Sequence, residues 1–299
     1  MAVYTSIDGL IGNTPVFAFP HRGAEIFVKL ESFNPGGSIK DRAALAMINE
    51  AEQSGMLKPG GVIVEPTSGN TGVGLAMVGA ARGYRVIIVM PDTMSVERRR
   101  LMAAFGAELV LTDGALRMSG AIAKARELVQ TIKGAFMPDQ FENPANPLIN
   151  EQTTAQEILK DTEGRLNAFV SAAGTGGTFT GVSRALKKAI PSILCAVVEP
   201  AESAVISGEK PGAHDIQGIG PGFIPRNLDV SLVDRVIKVK TAEAYDCARK
   251  LAAERGLLCG ISSGAAVFAA TKLAEELGEG ARILCVAPDT GERYLSVLF

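Results

Sequence analysis

Seven short runs of mainly β-branched and aliphatic residues, GVIVEP, RVIIVMP, AELVLTD, NAFVSAAG, SILCAVVEP, RVIKVKT and RILCVAPD, recur along the chain with helix-length stretches between several of them. Strand-length runs alternating with alanine-rich periodic segments are the pattern of βαβ units, in which a helix returns the chain so that successive strands lie parallel. The near-continuous apolar character of these runs fits strands buried on both faces, as parallel sheets require. An α/β fold of mostly parallel sheets covered by helices is therefore expected. With 299 residues, 47% of them hydrophobic, the chain can build one large domain or two ordinary ones, each with a full core. The stretch DQFENPANP, residues 139–147, places two prolines and two asparagines between helical segments and is the best candidate for a crossing between two domains.

Several functional classes are disfavoured at this level. The net charge is −2, and the longest basic run, Arg98-Arg99-Arg100, is followed directly by apolar Leu101 and Met102, so no nucleic-acid partner is expected. The N-terminus lacks a basic segment followed by an apolar one, and RVIIVMP is too short to cross a bilayer, which leads to the expectation of a soluble cytoplasmic protein with no membrane partner. Cys195, Cys247, Cys259 and Cys285 are widely spaced, three of them in strand-like apolar runs, and read as buried thiols rather than metal or redox groups. His21 and His214 both read as residues of Gly/Pro-rich loops, so neither a histidine triad nor a metal site is expected.

A strand end, a small-residue loop and a helix start occur together at VEPTSGNTGVGLAM, VSAAGTGGTFTGVSRAL and LLCGISSGAAVFAATKL. Ligands of parallel sheets bind at such strand ends, where helix N-termini offer unpaired N–H groups and partial positive charge. The loop Gly174-Thr175-Gly176-Gly177-Thr178 can wrap a phosphate with backbone N–H groups and two hydroxyls. It has no lysine in the place a nucleotide P-loop requires. It nearly matches a dinucleotide fingerprint, with Glu199 ending the next strand as an acidic ribose partner would, but Phe179 stands at the third glycine position. A phosphate monoester, a dinucleotide and a tight turn with no ligand all remain open at this point. The loop from Thr67 to Gly72 suits a small carboxylate or a polar ring substituent, or else an N-cap, and Ser262 taken alone reads as a helix cap. Lys40 stands apart. It follows SFNPGGSI at a predicted helix start, where the helix dipole disfavours a cation, although Asp41 beside it offsets part of that cost. Together with a phosphate loop, a lysine amine suggests a Schiff base with a phosphate-bearing aldehyde.

The segments NPGGSIKDR, EPTSGNTG, GTGGT, QGIGPGF and GISSGAA, in this order, with IGNTP before them and GERYLSVLF at the end, resemble the cysteine synthase (O-acetylserine sulfhydrylase) family of pyridoxal-phosphate enzymes over nearly the whole chain. The resemblance implies the fold termed type II for such enzymes, similar to the tryptophan synthase β chain. It implies a larger cofactor-phosphate domain over residues 1–36 and 145–299, a smaller mobile substrate-carboxylate domain over 37–144, and a homodimer. Lys40 would carry pyridoxal 5'-phosphate as a Schiff base and act as general base and acid. A neutral amine is needed for that work, and desolvation and a positive helix end both disfavour its charged form. Gly174, Thr175, Gly176, Gly177 and Thr178 would hold the phosphate, Asn70 the ring's 3′ oxygen, and Ser262 the pyridine nitrogen. Thr67, Ser68, Thr71 and Gln140 would bind the substrate carboxylate, drawing the smaller domain down over it. The implied reaction converts O-acetyl-L-serine and sulfide to L-cysteine and acetate through an α-aminoacrylate. A cystathionine β-synthase-like or serine/threonine dehydratase activity is the alternative within the fold; a nucleotide-binding oxidoreductase and a non-catalytic module holding a partner's C-terminal tail are alternatives outside it. Whether a serine acetyltransferase tail binds is left open. Where the family often reads GPHKIQGIGAGF, this chain has GAHDIQGIGPGF, so Ala213, Asp215 and Pro221 bear on substrate choice.

Overall fold

The computed structural model describes residues 3–298. It divides into two compact units, one formed by residues up to 11 together with 34–146, the other by residues 12–33 together with 147 onward. In chain order the elements are β1 (Val16–His21), β2 (Ala24–Leu30), α1 (Lys40–Gln53), β3 (Val62–Pro66), α2 (Asn70–Arg82), β4 (Arg85–Pro91), α3 (Val96–Ala104), β5 (Glu108–Thr112), α4 (Arg117–Thr131), β6 (Ala135–Phe136), α5 (Ala145–Ile149), α6 (Ala155–Asp161), β7 (Ala168–Ala172), α7 (Gly177–Ala189), β8 (Leu194–Pro200), β9 (Arg235–Val239), α8 (Thr241–Arg255), α9 (Ile261–Leu277), β10 (Arg282–Ala287) and α10 (Leu295–Leu298). All seven strands expected from the sequence are present. Among the described residues no helix is long and apolar enough to cross a membrane.

The first unit holds a four-stranded sheet in the order β5-β4-β3-β6, parallel throughout. Burial decides its composition: Ile63, Val64, Ile88 and Val89 are fully enclosed, and one face packs on Ala121 and Ala125 of α4. The second unit holds a six-stranded sheet in the order β1-β2-β10-β7-β8-β9. It is parallel except for the β1–β2 hairpin, which joins its edge antiparallel. Helix α9, rich in alanine and with Val267 and Leu273 buried, runs through the main core of this unit. The α/β architecture of helix-covered parallel sheets is thus as the strand pattern dictates.

Two local expectations differ from the structure. His21 is not in a loop; it ends β1, with Nε2 3.4 Å from Glu275. Only Cys195 and Cys285 lie in strands. Cys247 is on α8, and Cys259 lies just before α9 in an isolated bridge to Thr290. Burial pushes the thiols of Cys247 and Cys259 up to about 12, so they stay protonated at neutral pH. The hairpin β1–β2 and the two-residue β6 were not foreseen.

Each unit encloses ionisable side chains, of which Lys29 and Glu65 bear most directly on stability. In the second, Lys29 on β2 is 0% exposed and donates to the Thr14 carbonyl at 2.6 Å, with Glu157 at 3.0 Å and Asp161 at 3.1 Å. In the first, Glu65 on β3 is 1% exposed, and burial pushes its carboxyl from an ordinary 4.5 up to about 8, against the opposing pull of two backbone N–H bonds. Replacing Lys29 by Met should cost roughly 3 kcal/mol in denaturant unfolding, because two acidic groups and a carbonyl lose the cation between them. For Glu65, a folded-state value above the unfolded one means that the folded protein binds the extra proton. Its contribution to stability is complete below about 4.5 and is lost as pH rises through about 8. Thermal unfolding from about pH 5 to pH 9 should therefore show a loss on the order of a few kcal/mol in wild type that Glu65→Gln lacks; parallel curves for the two would disprove it.

Candidate functional site

Lys40 is the first residue of α1, and its N–H donates to the Ser38 hydroxyl at 3.2 Å. The residue at the helix's N-cap, Ile39, offers no side-chain cap, while Asp41 in the first turn is fully buried and accepts the Gly36 N–H at 2.6 Å. The NPGGS loop is thus folded back on the helix start by the carboxylate next to Lys40. Lys40 is half-buried, not an exposed solubilising lysine.

Helix α2 packs beside α1 through small residues. A Cβ on Gly74 would lie 3.0 Å from the Lys40 carbonyl oxygen, so glycine lets α2 approach the first turn of α1. The loop Thr67–Gly69 enters α2 without a side-chain cap: Gly69 is the N-cap residue, and the Thr67 hydroxyl accepts the Gly69 N–H at 3.3 Å instead. The N-capping reading of this loop is therefore wrong. Its helix N-terminus is left to other acceptors, as an anion-binding site requires. Arg98 of α3 donates to the Ser68 carbonyl at 3.4 Å. Thr71, buried in the first turn of α2, donates its hydroxyl to Gln140 Oε1 at 2.5 Å. Of the residues expected from the sequence, Lys40, Thr67, Ser68, Asn70, Thr71 and Gln140 all fall in this unit, and the Thr71–Gln140 bond joins positions 69 residues apart.

The sequence reading missed what holds Gln140. Glu65, two residues before Thr67, accepts the N–H groups of Asp139 at 3.0 Å and of Gln140 at 3.3 Å, and Asn146 donates to the Gln140 carbonyl at 2.9 Å. An acid inside the run VIVEP was the available signal, since a carboxyl in a buried parallel strand needs donors aimed at it.

In the second unit the expected phosphate loop follows β7 and opens α7. Gly176 is the N-cap in left-handed conformation (φ 82°) with no side-chain cap, so the first N–H groups of the helix face a possible ligand without competition from a capping side chain. The loop is walled by backbone: a Cβ on Gly174 would lie 2.3 Å from the Gly218 carbonyl oxygen, and one on Gly176 would lie 2.6 Å from Leu228. Gly218 also lies against Ser262, whose Oγ is 3.9 Å from the Cβ position of residue 218. The QGIGPGF segment therefore brings Gly174–Thr178 and Ser262 together on one side of the unit. Ser262 is not a cap. Gly260 occupies the N-cap of α9, and Ser262 is inside the first turn and 4% exposed.

The dinucleotide reading fails on the same unit. Glu199 accepts the N–H groups of Ile206 at 2.7 Å and Ser207 at 3.1 Å, and the Ser207 hydroxyl at 2.6 Å, so its carboxylate is spent closing its own loop. An uncapped helix start, glycines at the positions a Cβ would fill, and two threonines suit the phosphate of a monoester, and a buried neutral hydroxyl suits an aromatic ring nitrogen. The residues present fit pyridoxal 5'-phosphate.

A model of the family described as "Pyridoxal-phosphate dependent enzyme" matches residues 7–289. A probable cysteine synthase of Bacillus subtilis (strain 168) is 54% identical over 303 residues, covering 99% of this chain and 97% of that protein. Among solved structures, an O-ureido-L-serine synthase superposes with a TM-score of 0.97 at 47% identity, covering 100% of this chain and 96% of the other. A cysteine synthase (OASS) of Entamoeba histolytica gives a TM-score of 0.96 at 45% identity, covering 100% and 91%. Match of the family model over most of the chain, full-length identity near one half and a fitting phosphate cradle lead to one conclusion: this chain belongs to the family of pyridoxal-phosphate dependent enzymes.

Proposed function

We propose that the chain catalyses replacement at the β-carbon of O-acetyl-L-serine by sulfide, forming L-cysteine and acetate. The observation that carries this reading is the gathering, in the first unit, of a half-buried lysine at a helix start with an uncapped helix N-terminus bearing Thr67, Ser68, Asn70 and Thr71, to which Gln140 is bonded. A lysine and a carboxylate-binding loop in one unit are what amino-acid chemistry at Cα needs.

Gly174–Thr178 would hold the cofactor phosphate, Ser262 the ring nitrogen, Asn70 the ring's 3′ oxygen, and Lys40 would anchor the cofactor covalently. When bound, the cofactor supplies an electron sink for charge developing at the donor's Cα. Ser262 is neutral, so it does not hold a proton on the ring nitrogen, which keeps that sink weak and favours elimination. Thr67, Ser68, Thr71 and Gln140 bind the donor carboxylate and orient the Cα–H bond. Lys40 Nζ takes the Cα proton while acetate leaves Cβ with the C–O electron pair. Sulfide then adds to Cβ, and Lys40 returns the proton to Cα. Carboxylate binding is expected to draw the first unit, which we take as the smaller mobile domain, over the donor and to exclude water. The active form is inferred to be a homodimer, and a serine acetyltransferase C-terminal tail would compete for the carboxylate loop.

Choice of nucleophile is the finer part of the reading, because one of the similar structures is named for a different β-substituted serine product. Lys40→Ala should lower turnover by at least about a thousandfold and abolish the visible absorbance of the bound cofactor, with unfolding otherwise unchanged. Retained turnover would remove Lys40 from the mechanism.

Donor and nucleophile are tested together by mixing the cofactor-loaded enzyme with each donor and following the visible spectrum. O-acetyl-L-serine should shift it rapidly in the absence of sulfide, since acetate leaves readily. L-serine should shift it poorly, hydroxide being a much worse leaving group. Sulfide should restore the spectrum and homocysteine should do so only slowly. A fast shift with serine followed by preference for homocysteine would instead assign the cystathionine-forming reaction.

A further inference from the structure

Strand β6 pairs with β3 only through Ala135 and Phe136, opposite Val62 and Ile63. Past Phe136 the ladder stops and the chain turns, with Asp139 in a left-handed conformation (φ 53°) that a non-glycine residue adopts at some cost. The N–H groups of Asp139 and Gln140 therefore have no strand to pair with. Both are met by the two oxygens of Glu65, two residues further along β3 than the last ladder pair. Among the described residues no cation pairs with Glu65, so in its ionised form the charge is offset by those backbone dipoles alone. A buried carboxylate held this way is costly, and a chain that needed only to close the sheet could have extended β6 with apolar residues.

What the carboxylate fixes is the backbone of Gln140, whose carbonyl is held from the other side by Asn146 at 2.9 Å. With its backbone pinned at both ends, the Gln140 side chain reaches Thr71 at 2.5 Å, and an amide whose oxygen accepts from Thr71 turns its N–H side to other partners. N–H donors are what an anion recognises.

We propose that Glu65 is a positioning residue for the donor's carboxylate: by holding the Asp139–Gln140 backbone it sets the Gln140 amide against Thr71 and so fixes the geometry of the anion site. The inference rests on the reading of Gln140 as a carboxylate ligand, the one hydroxyl proton of Thr71 being given to Gln140 Oε1. The groups facing Glu65 electrostatically are few. Asp139 opposes its ionisation, and Asp139 is in turn acted on by Glu142 and by Arg126 of α4.

The test uses the cofactor-loaded enzyme with O-acetyl-L-serine and sulfide at about pH 8.5, above the value of about 8 to which burial raises the wild-type carboxyl. In Glu65→Gln one acceptor becomes an NH2 group facing a backbone N–H. The KM for O-acetyl-L-serine should rise about tenfold, with kcat within about twofold and the KM for sulfide unchanged, the loss expected for one misdirected hydrogen bond. Gln140→Ala should raise the same KM, and the double variant should be no worse than the more affected single one, since Glu65 acts through Gln140. If Glu65→Gln does not fold, Glu65→Asp, which keeps both oxygens and shortens the reach, should show the same KM signature. A KM within twofold of wild type in the folded Glu65 variant, or effects that multiply in the double variant, overturns the positioning role while an affected Gln140→Ala leaves the carboxylate reading standing. An unaffected Gln140→Ala overturns both.

Discussion

Parallel strands impose one constraint from which the arrangement of this enzyme follows: every strand delivers its carboxyl end to the same edge of its sheet, and what comes next must be a loop entering a helix. In the first unit β3 feeds α2 at that edge, and in the second β7 feeds α7. Helix N-termini are places where N–H groups lack partners and the dipole is positive, so the topology supplies anion sites before any side chain is chosen. The local sequence then decides whether such a terminus is sealed or left open. Here Gly69 and Gly176 stand at the N-caps of α2 and α7, and neither provides a capping side chain. By contrast Ser95 at the start of α3 accepts the Arg98 N–H and seals a helix that has no such task.

Keeping a terminus open creates a second requirement, which is rigidity without side-chain plugs. The second unit meets it with backbone packed on backbone, the Gly218 carbonyl against Gly174 and Leu228 against Gly176. The first unit uses the two oxygens of the buried Glu65 carboxyl group in place of a strand, because its ladder is too short to hold the segment that carries Gln140. These are different solutions to the same difficulty: polar backbone near a ligand must be satisfied, but not by the groups the ligand needs.

This difference explains what could be read from the sequence. The strand-rich runs, the helix starts and the small-residue loops are local signals, and Lys40, Thr67 to Thr71 and Gly174 to Thr178 stand where those signals put them. Strands β1 and β2 were missed because their stabilisation is not local. Val16 to His21 contains Pro20 at an edge, and β2 carries Glu25 outward and a buried Lys29 whose charge is intelligible only with Glu157 and Asp161 folded against it. Glu65 was missed for the same reason, since its two donors lie 74 and 75 residues further along the chain. Glu199 misled in the opposite direction: it stands where a ribose ligand belongs, and only its three bonds to Ile206 and Ser207 reveal that it serves its own loop.

Asp215 and Pro221, two of the departures from the family pattern, act at different places. Asp215 is exposed, its N–H 3.4 Å from the Thr241 hydroxyl and its carbonyl 3.4 Å from the Tyr245 hydroxyl, so the charge reversal sits on a turn fastened to α8 and not on the glycine segment that touches Gly174 and Ser262. His214, next to it, lies against the Gly220 carbonyl at 2.9 Å and couples that turn to the glycine segment through the backbone. Pro221 is different. It follows Gly220, which has a φ of 59°, and lines a small cavity with Ala173, Glu199, Val205 and Phe223. A proline fixes its own φ and restricts the residue before it, so this substitution stiffens the segment beside the phosphate loop. Of these two changes, Pro221 is the one whose effect reaches the segment through covalent geometry, whereas the Asp215 charge acts through a field that solvent screens.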